Sequence, residues 1–319
     1  MKRYGFLSGC VALVLAILWS APAPSGQTQG ATGRGPGAQQ AQPPPGGGQP
    51  GRGQGGARGG GRGGGRGARA RKVVLAWADT RNGLAQHDSV SHALAVIERL
   101  GYESGVYDTY IRTDSNIIAK NPLMTTGQPA SSGPSLGNVD AIFFLGHREV
   151  ELTDQQKADL MSFVKNGKGF VAAHTATTAF LAWPEFGEML GGRYDGHPWG
   201  SVYGSVINED PSFPVTKHFP ATFNFTDEFY QTQGYSRDKI HVLLRLDVSK
   251  LPPHPELHRT DGDFPLAWAK MYGKGRVFYS SLGHAASTWD DPNVYRMYFE
   301  ALKWSLGMTD GDVTPRPFN

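Results

Sequence analysis

The sequence predicts an α/β domain built on a mostly parallel central sheet. Three runs, VVLAWA at 73–78, VDAIFFL at 139–145 and GFVAA at 169–173, are short and apolar apart from Asp140, which is how strands buried on both faces read. Helical spacing follows the first two, over 88–100 and from Thr153 onward, and strands alternating with helices imply parallel pairing through right-handed crossovers. Polar residues stand where these runs stop, and in such sheets functional groups collect beyond the carboxyl ends of the strands.

The chain has 319 residues, but its first quarter lacks the pattern of a core. Lys2 and Arg3, an apolar run over 6–19 and then small residues and prolines make residues 1–23 an expected cleaved signal peptide, so the protein is expected to be exported to the periplasm or the extracellular space. Residues 24–72 are dominated by Gly, Pro, Gln, Ala and Arg. With no apolar periodicity to offset the entropy of ordering, they are expected to form a disordered tether. Arginine–glycine segments can bind RNA, yet behind an export signal contact with acidic cell-envelope polymers, or simple spacing, is the better expectation. Residues 1–72 hold ten of the 31 Lys and Arg and none of the 28 Asp and Glu, which leaves 21 basic against 28 acidic residues, net −7, in 73–319. A mildly acidic domain argues against a nucleic-acid surface. Cys10 is the only cysteine, so the mature protein has no disulfide, thiol nucleophile or cysteine-bound metal.

The domain is expected over 73–307, with an irregular tail at 308–319. After the first strand, Val90, Leu94, Ile97 and Leu100 fall at helical spacing, with Asp88 as N-cap and Gly101 as the stop. Residues 102–108 are expected as the second strand and 109–138 as a long loop. Thr153 and Gln156 have capping-box spacing ahead of Leu160, Phe163 and Val164. The fourth strand delivers His174, flanked by Ala172 and Ala176. A strand, a polar residue and a helical pattern in immediate succession read as an elbow, in which small neighbours let the turn close. Asp79, Asp108, His147 and His174 thus share one expected rim, whereas His87 reads as a polar loop or capping residue. Further on, 201–208 and 241–246 read as strands, 264–272 and 276–282 as a hairpin around Gly273 and Gly275, and 293–306 as a terminal helix.

The segments AAHTATTAFLAWPEFGEMLGGRYDGHPW, DEFY, FPLAWAKMYGKGRVFYSSLGH and LKWSLG together resemble the ThuA-like family, named for trehalose utilisation, over essentially all of 73–307. The resemblance implies a flavodoxin-like, class I glutamine amidotransferase-like three-layer sandwich with its elbow at the active rim. It also implies a role in carbohydrate utilisation, on trehalose-like disaccharides or keto-sugar derivatives. An amidotransferase elbow carries cysteine; this one carries His174, so thiolate hydrolysis of glutamine is not carried over.

His147, beyond the third strand, and His174, Glu228 and His284, in the matched segments, are the catalytic candidates, since histidine moves protons near neutral pH and a carboxylate orients it or acts as base. Trp183, His197, Trp199, Asp227, Tyr230 and His258 are the candidates for holding a sugar. Asp227 and Glu228 are adjacent, so on a strand they point to opposite faces and one alone serves a cleft; Glu228 is the expected one. Three readings remain open: a hydrolase or lyase working by His/carboxylate chemistry, a divalent metal site, zinc for preference, on His174, His284 and Glu228, and a noncatalytic carbohydrate-binding protein. The oligomeric state is not readable.

Overall fold

The computed structural model describes residues 71–81 and 87–318; the expected signal peptide and nearly all of the tether lie outside them. Among the described residues four α-helices and eleven strands follow one another as β1 (Lys72–Trp77), α1 (Ser89–Ser104), β2 (Tyr107–Arg112), β3 (Ala141–Phe144), α2 (Asp154–Lys165), β4 (Gly169–Ala173), α3 (Pro184–Leu190), β5 (Arg193–Tyr194), β6 (Ser201–Asn208), β7 (Thr222–Glu228), β8 (Thr232–Gln233), β9 (His241–Leu246), β10 (Pro265–Tyr272), β11 (Gly275–Ser280) and α4 (Pro292–Ser305). Nine strands form one sheet in the order β2-β1-β3-β4-β11-β10-β9-β6-β7, and β5 pairs with β8. The strands from β2 to β11 run parallel; those from β11 through β7 are antiparallel. The parallel part has flavodoxin-like order, with helices on both faces.

Burial on both faces explains the apolar runs. In β4, Val171 and Ala173 pack with Val90, Ile97, Met297 and Tyr298 of α1 and α4. Phe170 and Ala172 point the other way, toward Leu160 and Val164 of α2 and Phe186 and Leu190 of α3. Thr153 closes the expected capping box on α2. Asp291 caps α4 by accepting from the backbone N–H groups of Asn293 and Val294.

Several local expectations are corrected. Gly101 does not stop α1. It lies inside the helix because the Tyr107 ring passes over it, where an added Cβ would meet that ring at 2.4 Å. The helix ends at Gly105, in the left-handed region at φ 68°, whose N–H donates to the Gly101 carbonyl. The second strand therefore starts later than expected. Asp108 sits near its beginning facing Arg71 at 3.2 Å, away from the rim. Asp88 occupies the N-cap position of α1 without a side-chain capping bond. After His174 the chain makes a 3-10 turn over His174–Thr178 before the short α3, not one continuous helix. Arg193 fixes this connection by donating to the carbonyls of Ala179, Phe180 and Trp183, and each bond from a charged donor contributes about 1.5–3 kcal/mol. The tail is irregular but tied down: Arg316 pairs with Asp210, and the Phe318 ring lies against the guanidinium groups of Arg237 and Arg245.

The antiparallel half does not continue as a flat extension. β4 and β7 are five positions apart in the sheet, which at normal spacing is about 24 Å. Yet Glu228, at the end of β7, lies 3.5 Å from His174, at the end of β4. The sheet must coil to bring its far hairpin back over the rim. Twist accumulates in that direction, and register breaks between β9 and β10 at Pro265, Ala267 and Trp268 add local bending. Gly204 on β6 permits the close packing, since a Cβ there would meet Phe229 at 2.8 Å and Leu246 at 2.9 Å.

Candidate functional site

His174 occupies the apex of the β4 turn with φ 40°, a left-handed conformation that costs a non-glycine residue about 1–3 kcal/mol and persists where surrounding contacts enforce it. Those contacts are present. The Tyr279 hydroxyl donates to the His174 carbonyl at 3.0 Å, the Tyr230 ring stacks on the imidazole at 4.2 Å, and Nδ1 lies 2.6 Å from the Ser281 carbonyl. A carbonyl only accepts, so Nδ1 carries a proton and Nε2 is turned toward Glu228. That Nε2 is fully buried and has no aligned hydrogen-bond partner.

His284 comes from the neighbouring strand, β11, through Gly283. This glycine is required: at φ 143° its added Cβ would lie 3.1 Å from Trp289 and 3.3 Å from His174 Cβ. Asp227, buried at the end of β7, accepts from the backbone N–H groups of Gly283 and His284 at 2.9 and 3.1 Å and from the Thr288 hydroxyl. Glu228 turns the other way, into the cluster. Its Oε2 lies 3.1 Å from His284 Nδ1, 3.5 Å from His174 Nε2 and 3.8 Å from His87 Nε2. Its Oε1 faces His197 Nε2 at 3.4 Å. The His87 ring meets those of His284, His174 and His147 edge-on at 4.7, 5.0 and 5.5 Å.

Above this group opens a cavity of about 610 Å³ lined by His87, His147, Arg148, Tyr194, His197, Glu228 and Tyr230 among others. Arg148 also has positive φ, 61°, and its Nε donates to His147 Nδ1 at 3.2 Å. Burial, with His87, Arg148 and His174 close by, lowers the His147 imidazole to about 4, so at neutral pH it is uncharged with its proton on Nε2. Burial also lowers His284, against the pull of Glu228. At Glu228 burial acts upward, but the facing His174, His87, His284 and His197 prevail and hold the carboxyl well below its usual range. Tyr194 is pushed up to about 12 by burial and by Glu228, which keeps its phenol protonated.

The structure thus brings together His147, His174, His197, Asp227, Glu228, Tyr230 and His284. It keeps three candidates apart. Trp183 stacks on Phe186 and meets Phe180 edge-on. Trp199 donates to the Pro252 carbonyl and packs near Phe264. His258 pairs with Asp195 at 2.7 Å. Aromatic and histidine content alone does not separate ligand contacts from packing. Asp79, expected on the same rim, is held by Arg81 and Ser115 and lines an adjoining cleft. His87 is the residue that sequence reasoning passed over as a loop or cap. Its signal was the one that singled out Asp79: it stands on the connection leaving the carboxyl end of β1.

The fold is a flavodoxin-like sandwich whose strand-end elbow carries histidine beside a partly buried carboxylate. The family model for ThuA, described as trehalose utilisation, matches residues 73–305, and the chain belongs to this carbohydrate-related family. The crystal structure of a ThuA-like protein from Bacteroides uniformis ATCC 8492 is similar at TM-score 0.59 and 22% identity, covering 75% of this chain and 93% of that one. One from Parabacteroides merdae ATCC 43184 is similar at TM-score 0.56 and 17% identity, covering 77% and 93%. No curated protein matches the sequence.

Proposed function

We propose that the protein is an exported enzyme of carbohydrate utilisation that binds a trehalose-like disaccharide, or a keto-sugar derivative of one, and transforms it by histidine and carboxylate chemistry. The observation that carries this reading is the convergence of His87, His174, His197 and His284 on the single carboxylate of Glu228, beneath a cavity of a size that suits a small organic ligand. Family membership supplies the carbohydrate class. In a hydrolytic turnover the buried group would hold and activate the attacking water. The proton that the water gives up would end on the departing sugar oxygen, while neutral His147 donates an Nε2 hydrogen bond to a sugar oxygen without losing its proton. Tyr194 and Arg148 offer hydrogen-bond donors to sugar oxygens.

The test is a panel of trehalose, simple glucosides and their 3-keto forms, assayed with the purified protein. His147→Gln is expected to lower turnover on the responding sugar by about 10²–10³-fold, the scale of losing one aimed hydrogen-bond donor, with an unchanged melting temperature, because its ring faces the cavity and not the core. Undiminished turnover would remove His147 from the chemistry. Binding without turnover across the panel would instead favour a noncatalytic carbohydrate-binding protein.

A further inference from the structure

The donor atoms in the buried group are arranged more like ligands around a centre than like partners of one another. One atom from each of His87, His174, His284 and Glu228 can be chosen so that all four lie within 4.8 Å of one another. A tetrahedral ion with bonds of about 2.0–2.1 Å holds its donor atoms about 3.4 Å apart. The three histidine nitrogens lie 3.1, 3.5 and 3.8 Å from Glu228 Oε2, spread about that value. Direct hydrogen bonding would instead leave aligned contacts, and neither His174 Nε2 nor His284 Nδ1 has one, though both atoms are buried. An unsatisfied buried polar atom costs about 1–3 kcal/mol, and both of these atoms face the same Glu228 oxygen, at 3.5 and 3.1 Å, in an arrangement that a shared ion would satisfy.

The surroundings hold these atoms in place. Ser281 fixes the His174 tautomer from behind, Tyr230 stacks on its ring, and Asp227 pins the backbone that carries His284. Such outer contacts orient metal-binding histidines.

We propose that His87, His174, His284 and Glu228 form a binding site for one divalent first-row transition-metal ion whose open side faces the sugar cavity. This rests on the cavity assigned above and adds its cofactor class. Three imidazoles and one carboxylate suit zinc, cobalt, nickel, iron or manganese; magnesium and calcium prefer all-oxygen sites. An ion there would polarise a sugar oxygen or a water taken up as a fifth ligand from the cavity side.

The experiment uses purified full-length protein stripped with chelator and titrated separately with Co²⁺, Zn²⁺ and Mg²⁺. The expected result is one Co²⁺ per chain with visible d–d absorption, displacement by Zn²⁺ and no competition from Mg²⁺. His87→Ala and His284→Ala, whose side chains are partly exposed, should each weaken Co²⁺ binding by at least about 100-fold while keeping the wild-type circular dichroism. His92→Ala, on α1 and paired with Asp290, should bind as wild type. Substoichiometric Co²⁺ and Zn²⁺ at micromolar concentration, or binding unaltered in both variants, would overturn the ion site. Full turnover of a sugar by metal-free protein would also overturn it while leaving the sugar reading intact. Stoichiometric binding with no response to any sugar would sustain the site and remove that reading.

Discussion

Glu228→Gln is expected to reduce turnover of a responding sugar by about 10³-fold, within the range for losing a group that acts on protons in the transition state, while shifting the melting temperature by only a few degrees. The two side chains are nearly the same size, so packing survives. The charge does not, and it is the charge toward which His174, His284, His87 and His197 are turned. Glutamine would also place an amide N–H₂ against at least one of those nitrogens. Glu228→Asp keeps the charge but draws it back by about one bond length, so it should fall between the two. Steady-state kinetics with thermal melts on the same samples decide the matter. A glutamine variant that retains a tenth or more of wild-type turnover would show that Glu228 has no part in the reaction.

Asp227→Ala is the substitution expected to cost most stability, about 3–5 kcal/mol. Asp227 is 2% exposed and accepts from the backbone N–H groups of Glu228, Gly283 and His284 as well as from the Thr288 hydroxyl. Alanine would strand these donors without water, at about 1–3 kcal/mol for each left unsatisfied, softened by partial relaxation. For a domain of this size that corresponds to a fall of about 10 °C in melting temperature. Urea unfolding should move to lower denaturant with the slope unchanged. Asp227→Asn keeps one acceptor oxygen and should recover part of the loss. A midpoint within 2 °C of wild type in Asp227→Ala would mean that these bonds are replaced by others.

The inner parallel strands β1, β3 and β4 were legible because they are buried on both faces and so write themselves as apolar runs followed by a helical pattern, whereas the exposed edge strand β2 was misplaced. That order alone put His147 and His174 beyond strand ends, and the hairpin around Gly273 put His284 beyond another. The alternation of a strand made Glu228 and Asp227 diverge, as the geometry of β7 requires. What the sequence did not disclose is long-range. Coiling of the antiparallel half depends on twist and on register breaks spread over β6, β7, β9 and β10, with no local signature. His87 was missed because its partners come from four other strand ends. Trp183, Trp199 and His258 fell away for the converse reason: their residue types suit a sugar, but nearby packing and pairing occupy them. Gly101 resembled a helix stop by type, and only the Tyr107 ring lying across it reveals a glycine kept for close approach.

The coiled sheet also bears on how the protein folds. His87 follows the first strand, His284 follows the last, and Glu228 arrives on a hairpin at the opposite edge, so the group exists only once the sheet has folded back on itself. Contacts that close such long loops are entropically expensive to form early, which puts them on the native side of the folding barrier. Anything bound there would act as a latch on a finished chain, slowing unfolding and leaving the speed of folding nearly unchanged.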